Sequence, residues 1–465
     1  MNKSTLALAV AVGVLAQQAG AAGFIEDSKA TLGLRNFYIN NDNRDSAAGS
    51  AANKANGVQS KAEEWGQGFQ LNFTSGYTQG TVGFGIDAIG LLGIKLDSGG
   101  GTNGATARSG TNSGSYGGTV FPSKSNGEAV DNYSSLGLTA KAKISQTELK
   151  LGTLQPKLPV IVTNDGRLLP QTFQGGQITS NDIKDLTLVG GQIEKAKGRN
   201  SSNNENLSIA GANGGSNFGN GKFSNKFYYG GGDYKITKDL TAQYYYGNLE
   251  DFYKQHFLGL THNWAIGPGV LKSDLRYFNS RDDGANGHEA AYYTSGNYSG
   301  VPSGKGKVDN NLYSGLFLYS VAGHTFGGGY QVSNGSSDFP FLNQGDGASA
   351  YLTTDMQIAK FNRAGERTWQ ARYAYDFAKL GAPGLTAGVI YLRGDNIDTV
   401  AANRSVAGSG RSEWERDLTV AYVIPEGPLK NLGLTWKNAM WRNDVPGQRD
   451  QDENRLIVSY SLPLL

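Results

Sequence analysis

Beyond the first two dozen residues the chain alternates apolar with small or polar residues in short runs, which is the period-two pattern of β-strands. In residues 64–74 one phase is Trp65, Phe69, Leu71 and Phe73, and the other is Gly66, Gly68, Gln70, Asn72 and Thr74. Leu136, Leu138, Ala140, Ala142 and Ile144 alternate with Ser135, Gly137, Thr139, Lys141 and Lys143. The pattern returns at 271–278, 369–377 and 455–462. Between runs lie short turn-formers, Gly-Ala-Pro-Gly at 381–384 and Glu426-Gly427-Pro428-Leu429, and long stretches rich in Gly, Ser and Asn at 97–132, 198–225 and 281–309. Short and long links that alternate predict an up-and-down barrel with a short-turn rim and a long-loop rim.

Alternation also suits a soluble sandwich, but the polar phase here carries lysines and arginines in mid-strand. Those fit a water-filled lumen and would be costly in a packed core. Aromatic residues such as Tyr244-Tyr245-Tyr246, Trp264, Trp436 and Trp441 fall near strand ends, as an interfacial girdle requires. The first residues combine Lys3, an apolar run from Leu6 to Leu15 and the small residues Ala19-Gly20-Ala21, which predicts a secretory signal over 1–21. No later apolar run reaches the length of a membrane-spanning helix. The expectation is an all-β fold, an 18-stranded antiparallel transmembrane barrel over 22–465 in a bacterial outer membrane.

The 67 Gly, 24 Tyr and 19 Phe against 3 Met agree with a barrel. With no Cys there are no disulfides and no thiolate metal sites. His256, His262, His288 and His324 stand in no nucleophile motif, so neither an enzyme nor a metal or other cofactor is expected. A net charge of +2 and Gly triplets at 230–232 and 327–329 with no following Lys-Ser or Lys-Thr argue against nucleic-acid or nucleotide binding. Those glycines fit strand positions that a neighbouring side chain crosses.

One link stands apart. Residues 154–177, LQPKLPVIVTNDGRLLPQTFQGGQ, are too apolar for a loop in water, and folding inward against the lumen wall would bury them and narrow the pore. A loop capping the rim is the alternative. Inside a constriction, Asp165 and Arg167 would lie where a solute must pass.

The chain resembles the OprD-type (Occ) family of outer-membrane carboxylate channels over nearly its whole length. The resemblance rests on GFIEDSKATLGLRNFYINNDNRD, EEWGQGF, LKLGTLQPKLPVIVTNDGRLLPQTFQGG, LEDFYKQHF, DLRYFNSRDDGA, FPFLNQGD, WQARYAYDF and DENRLIVSYSL. It implies a monomeric or loosely trimeric channel with a narrow eyelet and a ladder of basic side chains. On this chain the matching positions are Lys143, Lys437 and Arg455, all in the lumen phase, and Arg44 and Arg167 on loops, with Asp165 and Asp346 as acidic partners. Arg35 and Arg372 share the lumen phase. Asn41, Thr435, Ala421 and Ile390 stand where relatives place bases, so the ladder is thinner. The expected function is passive uptake of small carboxylates, aromatic acids such as benzoate first, with basic amino acids or small peptides as the alternative. A non-channel barrel, enzymatic or structural, is the reading from another class. The expected partners are those solutes, outer-membrane lipid and lipopolysaccharide, and the barrel-assembly machinery.

Overall fold

The computed structural model describes residues 23–44, 61–98, 118–125, 128–210, 222–289, 292, 307–343, 348–400, 407–445 and 448–465. The expected signal segment and Asp346 lie outside them. Eighteen long strands form the wall. They are β1 Lys29–Asn43, β2 Lys61–Thr74, β3 Gly83–Asp97, β4 Asn132–Ile144, β5 Thr147–Leu154 and β6 Thr172–Ser180. β7 Leu186–Lys197, β8 Phe227–Lys235, β9 Leu240–Leu249, β10 Tyr253–Ile266, β11 Gly269–Asp282 and β12 Asp309–Val321 follow. β13 His324–Gly335, β14 Arg367–Asp376, β15 Leu385–Val400, β16 Ala407–Val423, β17 Gly433–Asn443 and β18 Gln451–Pro463 complete it. Each pairs antiparallel with its neighbours in sequence, and β1 pairs with β18, with Leu34 opposite Tyr460, so the sheet closes and leaves no free edge.

One rim is made of tight turns. Ser145 and Gly267, both with positive φ, sit in two-residue links, and the 381–384 and 426–429 turn-formers lie on the same rim. All the long connections leave the opposite rim, which in bacterial barrels faces outward from the cell. The apolar phase points out: Leu71, Leu136, Leu275 and Leu456 are all exposed on the outer face. Register carries the other phase into the lumen, since Lys141 and Lys143 lie opposite Gly85 and Gly83 and Lys437 lies opposite Arg455.

Two aromatic expectations need correction. Tyr244 is exposed on the outer face, but Tyr245 is buried in the lumen. Trp441 is also buried and inward, donating from Nε1 to Glu413 at 2.8 Å. In a period-two strand, adjacent aromatics cannot share a face. Some glycines of each triplet do lie under crossing side chains: Tyr245 covers Gly231, and Gln370 and Arg372 cover Gly329 and Gly327.

The core is not a layer between sheets. It sits inside the lumen, where connections from the outer rim fold inward and bury apolar side chains against the wall. The 155–171 link does this, and residues 172–177 belong to β6 rather than to the loop. The stretch after Gly198 is not a free surface loop, because Leu207 and Ile209 are buried and Ser208–Ala210 pairs with Phe341–Asn343.

Candidate eyelet and its basic lining

The 155–171 loop crosses the lumen between two apolar seats. At one end Val160 and Ile161 pack among Ile193, Phe227 and Leu249, and at the other Leu168 and Leu169 pack on Phe37, Ile39 and Phe121. Burying each such side chain stabilises the seat by about 1.5–3 kcal/mol. Wall glycines make the approach possible. A Cβ on Gly68 would meet the Leu168 carbonyl at 2.9 Å, and one on Gly247 would meet Val160 at 2.9 Å.

Polar contacts hold the span between the seats. Arg35, from β1, donates to both carboxylate oxygens of Asp165 at 2.7 and 3.1 Å and to the Arg167 carbonyl at 2.6 Å. This bidentate grip is the one a planar guanidinium is suited to. Asn164 accepts from Arg199 at 2.8 Å and donates to Ser349 at 2.7 Å. Arg35 and Asp165 stay wet, with side-chain exposures of 27% and 49%.

A second connection, between β13 and β14 and described over 336–343 and 348–366, also enters the lumen. Sequence reading did not anticipate it. Three wall arginines donate to its carbonyls: Arg276 to Tyr351 at 3.1 Å, Arg372 to Thr353 at 2.5 Å and Arg455 to Gln357 at 3.0 Å. Wall carboxylates take its N–H groups. Glu415 accepts from Ile358 and Ala359 at 2.9 and 2.7 Å, and Asp417 accepts from Gln357 at 3.3 Å. Arg276 is further fixed by Asp274 at 2.7 and 2.8 Å and by the Tyr351 ring, 4.0 Å away. The 118–121 segment is held in the same manner, with Glu64 accepting from the N–H groups of Thr119, Val120 and Phe121. In each case a charged wall residue satisfies backbone groups that the inward fold removes from water.

Arg455 joins the two loops. Buried in the wall, it is held by Glu453 at 2.6 Å and donates to Gly166 of the first loop at 3.2 Å and to Gln357 of the second. Lys437, its neighbour across the register, points into the same lumen and makes no hydrogen bond or ion pair among the described residues. Bases from β1, β11, β14, β17 and β18 therefore lie on one arc of wall around the gap between the loops.

The residues singled out from sequence are only partly brought together. Asp165, Lys437 and Arg455 are in this arc. Arg167 is on the constriction loop, but its side chain donates to the Thr119 carbonyl of the inward 118–121 segment. Arg44 sits on the outer rim, paired with Asp452 at 3.1 Å. Lys143 lies in the lumen phase beside the short-turn rim, 5.8 Å from the Tyr77 ring. Arg276 was not singled out, though its place opposite Leu275 in the alternation carried the signal. Ile390 packs against the Phe361 cluster of the second loop.

Comparison with known proteins matches residues 22–464 to the family model described as outer membrane porin, OprD family. Porin-like protein GalP of Pseudomonas putida is 37% identical over 463 residues, 99% of this chain and 97% of that protein. Porin D of Pseudomonas aeruginosa is 33% identical, covering 100% of this chain and 99% of its own. Among solved structures, Pseudomonas aeruginosa OccK8 (OprE) is 61% identical with a TM-score of 0.82, covering 96% of this chain and all of that one. Pseudomonas aeruginosa OpdK, solved with vanillate, is 36% identical with a TM-score of 0.79, covering 95% of this chain and all of its own.

Proposed function

The chain belongs to the OprD family of outer-membrane porins, which are channels and not enzymes, and from that premise we propose that it passes small carboxylates, aromatic acids of the benzoate or vanillate kind first. The observation that carries the reading is the arc of bases at the gap between the two inward loops, with Lys437 uncommitted and Arg35 wet. A carboxylate entering a constriction sheds water, and a lysine or arginine there replaces part of that solvation. Because Arg276, Arg372 and Arg455 already hold loop carbonyls, they act on the solute mainly through their field, which falls off slowly where water is scarce. The apolar faces of Leu168 and Leu169 are spent on the wall, so a ring on the solute would meet the loop backbone and Tyr351.

Vanillate in the structure of OpdK supports an aromatic acid as the first candidate. A second reading, basic amino acids, is favoured by the carboxylates of Asp165 and Asp417 on the same arc, which suit an ammonium or guanidinium. Uptake into liposomes carrying the protein, benzoate against arginine at equal concentration, separates the two. Faster benzoate entry is expected; faster arginine entry would sink the carboxylate reading.

A further inference from the structure

We propose that the outer face of β10–β13 is a binding site for one lipopolysaccharide molecule of the outer leaflet. A concavity of about 720 Å³ opens there, outside the barrel. Its walls are Leu258, Leu260, Leu275, Phe317, Tyr330 and Val332, and its floor lies at Gly315 and Gly328. Register explains the hollow: Gly315 stands between Leu275 and Tyr330, and Gly328 stands opposite Phe317, so small residues sit among large ones on one face. A Cβ on Gly328 would meet nothing within 4 Å. The groove is apolar and faces lipid, and it runs down the wall from Leu258 and Val332 on the long-loop side to Phe317 and Gly328 just past mid-strand, so that an acyl chain entering from the long-loop rim would lie along it.

What chooses a glycolipid over an ordinary acyl chain is the rim above it. Lys254 and Arg281 are register partners on β10 and β11, in the same outward phase as Leu258 and Leu275. Lys254 is exposed, and Arg281 shares its charge with Asp309 at 3.1 Å. Between cations and groove lies a polar and aromatic belt, with Tyr277 stacked on Tyr313 at 4.8 Å and both Tyr277 and Asn279 donating to Asn311 at 3.2 and 2.8 Å. Phosphate at the rim, sugar along the belt and acyl chain in the groove is the order of groups in a phosphorylated, multi-acylated sugar. A comparable concavity of about 760 Å³ across β6–β10, lined by Ile178, Leu188 and Tyr234, reaches toward the short-turn rim and serves as a control.

The test is native mass spectrometry of the purified full chain in detergent, titrated with bis-phosphorylated lipid A. One lipid A per chain is expected. The double variant Lys254→Gln/Arg281→Gln should weaken half-saturation roughly 10- to 30-fold, since each cation near anionic headgroups is worth about 1 kcal/mol. Gly328→Leu, which fills the groove, should also weaken it, and Gly190→Leu in the control groove should not. These side chains all face away from the lumen, so single-channel conductance serves as the check on folding and leaves the proposed solute preference untouched. Equal retention by all the variants, or displacement of lipid A by an equal amount of phosphatidylethanolamine, would overturn the assignment.

Discussion

At the scale of single residues, the bases of the lumen differ in how much of their hydrogen-bonding capacity is already in use. Lys437 has the most to offer a passing anion. Lys437→Gln is expected to lower benzoate flux roughly two- to fivefold by removing a half-buried cation from the lumen wall, with circular dichroism unchanged. Flux equal to that of the parent would remove Lys437 from the path. Asp165 works in the other direction. Its pair with Arg35 is open to water and contributes about 0–1 kcal/mol of stability, so Asp165→Asn should fold normally while freeing a guanidinium at the eyelet. The reversal potential in asymmetric salt should then move toward anion selectivity; a shift toward cations would reverse the roles given to this pair.

At the scale of elements, the 336–366 loop is the part most exposed to titration. Glu366, at its end beside β14, is held well above the usual carboxylate range, first because it is buried and second because it faces Glu413. A carboxyl with a raised folded-state pKa lends stability that is complete below its unfolded value and is lost as pH climbs through the folded one. Docking of this loop should therefore loosen as pH rises out of the usual carboxylate range and through the raised folded-state value. Hydrogen exchange of residues 350–366 over that range is the measurement, and Glu366→Gln should flatten the profile. A loop whose protection does not change with pH in the parent protein would contradict the buried pair. Arg455 matters here for a different reason: it bonds one carbonyl in each loop, so its replacement should disturb both.

For the molecule as a whole, wall and constriction are separable. The wall closes through the β1–β18 ladder without help from the loops, and the loops rest on its inner face. Replacing residues 156–170 by a short Gly-Ser link should leave a heat-resistant barrel whose single-channel conductance rises severalfold and whose preference between benzoate and arginine disappears. If conductance stays at the parent value, the narrowest point lies elsewhere, and the 336–366 loop becomes the place to look.

The period-two alternation was enough to predict a barrel and the lipid and water faces of the strands it marked, because side-chain direction in a strand follows from position parity alone, while the inward link, 155–171 in the structure, was legible from its apolar residues and prolines. Parity also placed Lys437 and Arg455 in the lumen. It could not place side chains on loops, where no period applies, and so Arg167 and Arg44 were grouped with an eyelet from which Arg167 turns to the 118–121 segment and Arg44 lies on the rim. Nor could it set height along the barrel axis, which depends on register summed around the closed wall. That is why Lys143 shares a face with the arc of bases and yet sits at the far rim. The second inward loop was hidden for a further reason. Its polar backbone is satisfied by Arg276, Arg372, Arg455, Glu415 and Asp417, which come from four strands, three of them far from the loop in the chain, and become one surface only when the sheet forms.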